Sequence, residues 1–144
     1  MSDTLHFVRF DGGTMAPFDL DAFRMILARH GCEVPPSPVL TEDSYEVRLH
    51  SAAGSSSSGA EAGTMHVEAG KVIAFAIDRP ASGETLWRMS FELLVELGAC
   101  MFPTRGHVIC AAQSCEDQIP KDLLAECDRG LQMATSAQHL SELL

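Results

Sequence analysis

Apolar positions recur first with a period of two and then with a period near three and a half, and each change of period marks a new element. Leu5 to Phe10 (LHFVRF) alternates like a half-buried strand, and Asp11-Gly12-Gly13 ends it. The stretch FDLDAFRMILARHG then places Leu20, Phe23, Ile26, Leu27 and His30 on one helical face. Asp19 stands where an N-cap belongs, and Asp21 lies near the positive helix end. Arg29 and His30 occupy the last turn, and Gly31 supplies the stop. Pro35, Pro36 and Pro38 force an extended connection into the alternating run Tyr45 to His50 (YEVRLH), read as a second strand.

The segment Ser51 to Gly63 (SAAGSSSSGAEAG) consists of small residues. It buries too little apolar surface to offset its ordering entropy, so a mobile loop with a dispensable tip at Ser55 to Gly59 is expected. It lacks the G-x-x-x-x-G-K-[ST] pattern of a phosphate loop. Thr64 to Val67 and Lys71 to Ile77 flank Glu68-Ala69-Gly70 and predict a hairpin. The second of these strands, KVIAFAI, is almost wholly apolar, as a strand covered on both faces would be.

Asp78-Arg79-Pro80 ends that strand, because proline cannot donate to a ladder. The pair Asp78-Arg79 is most economically a strand-to-helix corner. Ser82 or Gly83 caps the next helix, whose stripe is Leu86, Ser90, Leu93, Leu94 and Leu97, widened by Trp87, Phe91 and Val95. Gly98 closes it. A second hairpin is expected from Ala99 to Phe102 and His107 to Ala111 around Pro103-Thr104-Arg105-Gly106. Pro120 opens a third helix with Leu123 and Leu124 facing inward, and Gly130 closes it. Leu131 to Ala134 reads as a short edge strand, and Thr135-Ser136-Ala137-Gln138 as a capping box before a terminal helix carrying Leu140, Leu143 and Leu144. Hairpins and helices in this order predict a single α+β domain over residues 1–144, with one mixed, mainly antiparallel sheet and helices packed on it.

Charge changes the picture more than composition does. Twenty acidic residues face ten Lys and Arg, a net charge of −10. Such a chain repels phosphate backbones and anionic membranes, so neither nucleic acid nor membrane is an expected partner. A basic protein partner is favoured by complementary potential. No apolar run approaches the roughly 20 residues that span a bilayer, and no basic n-region precedes an apolar stretch at the N-terminus. Five cysteines without a C-x-x-C spacing read as unpaired structural thiols, and the expected compartment is the cytoplasm.

Candidate chemistry is sparse. The six histidines show no H-E-x-x-H or H-x-H spacing, although His50 and His66, with Glu68, would approach one another if their strands paired suitably. Cys115 is flanked by Glu116 and Asp117, which raise a thiol pKa, and there is no G-x-S-x-G elbow. No catalytic residue, metal or cofactor is therefore expected. Acidic surface remains: Glu42, Asp43 and Glu46 before and within the second strand, Glu84, Glu92 and Glu96 on the central helix, and Glu116, Asp117, Asp122, Glu126 and Asp128 around the third helix. Glu92 and Glu96 form an i, i+4 pair read as an outward face, and the first two groups are the candidate partner-binding residues.

The stretch IDRPASGETLWRMSFELLVELGACMFPTRG, with Ile119-Pro120-Lys121-Asp122-Leu123 and TSAQHLSELL, resembles small bacterial immunity proteins that accompany secreted toxins. That resemblance implies a non-catalytic protein, monomeric or homodimeric, that covers the active site of a basic toxin domain. The span Phe18 to Gly130 is also similar, in its order of elements, to the class I chaperones of type III secretion, which implies binding of an effector segment.

Overall fold

The computed structural model describes residues 4–30, 44–49, 61–77, 84–104, 108–112 and 116–143. Eight strands and four helices follow one another: β1 Leu5–Asp11, β2 Thr14–Ala16, α1 Leu20–Arg29, β3 Ser44–Leu49, β4 Glu61–Glu68, β5 Lys71–Ile77, α2 Glu84–Leu97, β6 Cys100–Pro103, β7 Ile109–Ala111, a 3-10 turn Glu116–Gln118, α3 Lys121–Glu126, β8 Leu131–Met133 and α4 Ala137–Leu143. They build one α+β sheet in the order β3-β4-β5-β1-β6-β7-β8, with β2 pairing to β1. Every pair is antiparallel except β7 with β8.

Alternation along the strands divides the interior in two. Phe7, Met65, Phe75, Met101 and Cys110 point to the face that carries α1, α2 and α4. Cys100, Ile109 and Ala111 point to the other face, where Ile119 and Cys127 bury against them and Leu123 and Leu124 of α3 pack alongside. The first core is the larger. It includes Leu93 and Leu94 of α2 and Leu140 of α4, all fully buried. The apolar stripe of α2 thus lies on the sheet that contains β5, with α1 and α4 both packed against the helix.

Helix α1 is fixed to the sheet by aromatic contacts. Phe23 meets the edge of Phe75 at 5.2 Å between ring centroids, Phe75 lies 5.7 Å from Phe7, and Phe18 stacks on Phe23 at 5.7 Å. Such pairs add about 0.5–1.5 kcal/mol each beyond their burial. The Asp19 side chain caps the helix by accepting from the Ala22 N–H, and the Phe18 N–H reaches the Val72 carbonyl at 2.8 Å.

Several local readings change. Thr14–Ala16 forms an additional strand after Gly12-Gly13, and that turn is latched to the 3-10 turn: the Gly12 N–H donates to Gln118 Oε1 at 2.6 Å and the Gly13 N–H to the Gln118 carbonyl at 2.9 Å. Glu61 to Gly63 belong to β4 rather than to the small-residue loop. The cap of α4 sits one residue later than the Thr135–Gln138 box. Ser136 Oγ accepts from the His139 N–H, and His139 Nδ1 accepts from the Thr135 N–H. Its last turn is held by Arg129, whose Nη1 donates to the Leu143 carbonyl at 2.6 Å. The Asp78-Arg79-Pro80 corner, Ser82-Gly83, the prolines at 35, 36 and 38, and the tip Ser55–Gly59 lie outside the described residues.

Candidate partner-binding surface

Helix α2 forms because its apolar residues recur at helical spacing, and it buries Leu86, Met89, Ser90, Leu93, Leu94 and Leu97. Glu92 and Glu96 flank that stripe. They are brought together as an i, i+4 pair, and both meet the C-terminal end of α1. Arg29 Nη1 donates to Glu92 Oε1 at 2.5 Å and lies 3.7 Å from Glu96 Oε2, while His30 Nε2 contacts Glu92 Oε2. The expected outward acidic pair is therefore asymmetric. Glu92 retains 28% of its side-chain exposure and is engaged by two nitrogen groups, whereas Glu96 retains 40% and has one distant cation. Burial raises the Glu92 pKa, but the His30 and Arg29 hydrogen bonds and charges outweigh it and hold the carboxyl below its ordinary range.

The other candidate residues are more dispersed. Glu84 is the first residue of α2, and Glu46 lies on the edge strand β3 opposite Thr64. Glu42 and Asp43 lie outside the described residues. Around α3, Asp117, Asp122 and Glu126 are exposed, and none has an ion-pair partner among the described residues. Acidic surface thus lies on both sides of the sheet: at the flank of α2 and on the layer built by α3.

Two open clefts accompany these surfaces. One, of about 430 Å³, lies between the Gly12-Gly13 turn and Ile119, Pro120, Lys121 and Leu124. The second, of about 320 Å³, lies between Trp87 and Arg88 of α2 and Gln138 and Ser141 of α4.

Cys100, Cys110 and Cys127 are free thiols buried in the packed interior. Burial pushes the Cys110 thiol up to about 11, against a smaller opposing effect of Arg129. Burial first, then the charges of Glu126 and Asp128, raises Cys127. Thiols so shifted are poor nucleophiles at neutral pH. His66 sits opposite Ser44 in the β3–β4 register, at the far end from Leu49 and Glu61, so the pairing that would approach His50 is not the one adopted. His50 itself and Cys115 lie outside the described residues. Among the described residues no group of three or more His, Cys, Asp or Glu is arranged to hold a metal ion.

Sequence periodicity missed the partners of Glu92. Arg29 and His30 stand over sixty positions away, and the one available signal was the coincidence of cations at the end of one helix with acids beside the stripe of another. It also missed the exposed apolar side chains Met15, Met25, Val95 and Met133, which are 38–54% accessible. No helix among the described residues is long and apolar enough to cross a membrane. Comparison with protein family models, curated proteins and solved structures finds no match to this chain.

Proposed function

We propose that this chain is a non-catalytic, cytoplasmic immunity protein that inhibits a cognate bacterial toxin by covering its active site with acidic surface. The observation that carries the reading is the excess of negative charge: a net −10, with exposed Asp117, Asp122 and Glu126 lacking an ion-pair partner among the described residues and Glu96 exposed beside a single cation. Charge of one sign costs self-repulsion in the free protein and steers a basic partner toward it. Glu84, Glu96, Glu42, Asp43 and Glu46 are the proposed contacts. Glu92 contributes by holding α1 against α2 and by adding to the local field.

The test is binding of the toxin domain encoded beside this gene, measured as on-rate and affinity against ionic strength. Association should slow as salt shortens the Debye length. Glu84→Lys with Glu96→Lys should weaken binding while the domain stays folded, its melting temperature falling only slightly because a cation then stands at the N-terminus of α2 and another beside Arg29. An interface indifferent to both salt and charge reversal removes the acidic-face reading.

A second reading is a secretion chaperone similar to the type III class I proteins. The exposed methionines Met15, Met25 and Met133 favour it, because flexible thioether side chains suit binding of an extended, variable segment. A stable complex with an unfolded effector segment, and none with a folded basic domain, would select it.

A further inference from the structure

We infer that α4 carries a pH-sensitive cap: protonation of His139 undoes the N-terminal end of the helix and loosens α4 from α2. Two backbone amides are held at this end. The His139 N–H donates to Ser136 Oγ at 3.1 Å, and the Thr135 N–H donates to His139 Nδ1, also at 3.1 Å. A backbone N–H can only donate, so Nδ1 carries no proton in this arrangement and the single ring proton sits on Nε2. The imidazole thus takes the part that Glu or Gln plays in a capping box, reaching back to an amide ahead of the helix. A glutamate there remains an acceptor down to about pH 4. A histidine stops accepting across the range in which imidazoles ordinarily titrate, roughly pH 8 to 5.

Protonation acts twice on the same end. A proton arriving at Nδ1 faces the Thr135 N–H and breaks that bond. Thr135 Oγ1, 3.3 Å from the same nitrogen, accepts the new N–H only after the ring turns away from the amide. The imidazolium also places positive charge in the first turn, against the helix dipole. The charged groups on the helix and on its packing partner are Glu142 on α4, Arg129 at the far end of α4, and Glu84, Arg88, Glu92 and Glu96 on α2. Among the described residues no carboxylate forms an ion pair with His139, and Glu92 and Glu96 are turned to Arg29. Helix α4 has seven residues, too few to persist without packing and caps. Its Leu140 and Leu143 are seated in the main core, and Arg129 holds the Leu143 carbonyl. Loosening therefore begins at Ala137 and leaves the Arg129 end attached. It widens the cleft that Trp87 and Arg88 of α2 form with Ala137, Gln138 and Ser141.

The inference is independent of any binding partner, and its test uses the chain alone. Trp87 is the single tryptophan and lines that cleft, so its fluorescence reports the movement. Between about pH 8 and 5 the wild-type emission should shift reversibly. His139→Gln supplies an amide oxygen that accepts from the Thr135 N–H at every pH, and its emission should stay constant over the same range. Hydrogen exchange of the unaltered protein provides a measurement that does not depend on the variant folding. Corrected for the intrinsic pH dependence of exchange, amide protection at His139 and Leu140 should fall by about fivefold across that range, the effect of losing one cap. A flat wild-type emission, a transition that persists in His139→Gln, or unchanged protection at both amides would overturn it.

Discussion

Glu92 of α2 and Arg29 of α1 meet at 2.5 Å, and this contact ties the C-terminal end of one helix to the flank of the other. His30, the C-cap residue of α1, meets the second carboxylate oxygen of Glu92. A cation at a helix C-terminus also complements the local dipole, so the carboxylate holds in place groups that favour that end of α1.

Glu92→Gln should therefore lower stability by about 1 kcal/mol, at the upper end for exposed ion pairs and below the value of a buried charged hydrogen bond, because the site is partly exposed. The pH dependence has a definite sign. The folded carboxyl has a lowered pKa, so the unfolded chain binds the proton more readily. The contribution is complete above the unfolded value of about 4.3 and is lost as pH falls through the folded value. Thermal melts from pH 7 down to acid should converge for wild type and Glu92→Gln. A gap that widens in acid would contradict this assignment.

Gly63→Ala should destabilise β4. A Cβ at that position would lie 2.7 Å from Phe75 Cε1, 2.8 Å from Phe75 Cζ and 3.1 Å from the Ala76 carbonyl oxygen. The Phe75 ring is fully buried between Phe7 and Phe23 and has little room to retreat. Overpacking of this kind costs about 1–3 kcal/mol, readable as a lower urea midpoint at unchanged slope.

The β4–β5 hairpin turns through Ala69 at φ 53° and Gly70 at φ 77°. Left-handed backbone costs a β-carbon-bearing residue about 1–2 kcal/mol, and asparagine tolerates it better than alanine. Ala69→Asn should raise the melting temperature, and Ala69→Val should lower it. Equal melts for the two would show that the turn does not hold this geometry in solution.

Ser90 lies at the centre of the buried stripe of α2, is fully inaccessible, and its hydroxyl has no hydrogen-bond partner among the described residues. Ser90→Ala removes an unsatisfied polar group and adds helix propensity, for a gain of about 1 kcal/mol. A loss of stability on chemical denaturation would mean that the hydroxyl has a partner in solution.

The parts of this fold legible in the chain are those set by neighbours in sequence. The Asp19 cap, the stripe of α2 and the stop at Gly98 all follow from local spacing, and each is present. What escaped depends on distant groups. The strand Thr14–Ala16 is three residues long, and the turn before it is held by Gln118, more than a hundred positions later. The placement of β1 between β5 and β6, and the parallel join of β8 to β7, are choices of pairing that alternation leaves open. Glu92 and Glu96 illustrate the same limit within a helix. Periodicity puts them beside the stripe, but only the packing of α1 makes one a part-buried bridge and leaves the other accessible.

The position of β1 also sets a timetable for synthesis. This strand precedes the others in chain order, yet its two ladders are made with Lys71–Ile77 and Cys100–Pro103. At about 5–20 residues per second on the ribosome, roughly ninety residues separate the emergence of β1 from that of β6, a delay on the order of ten seconds. Through that interval the segment Leu5 to Phe10 has an apolar face and at least one open row of amides and carbonyls. A nascent chain of this sequence therefore carries β1 with one edge still unpaired until β6 has emerged.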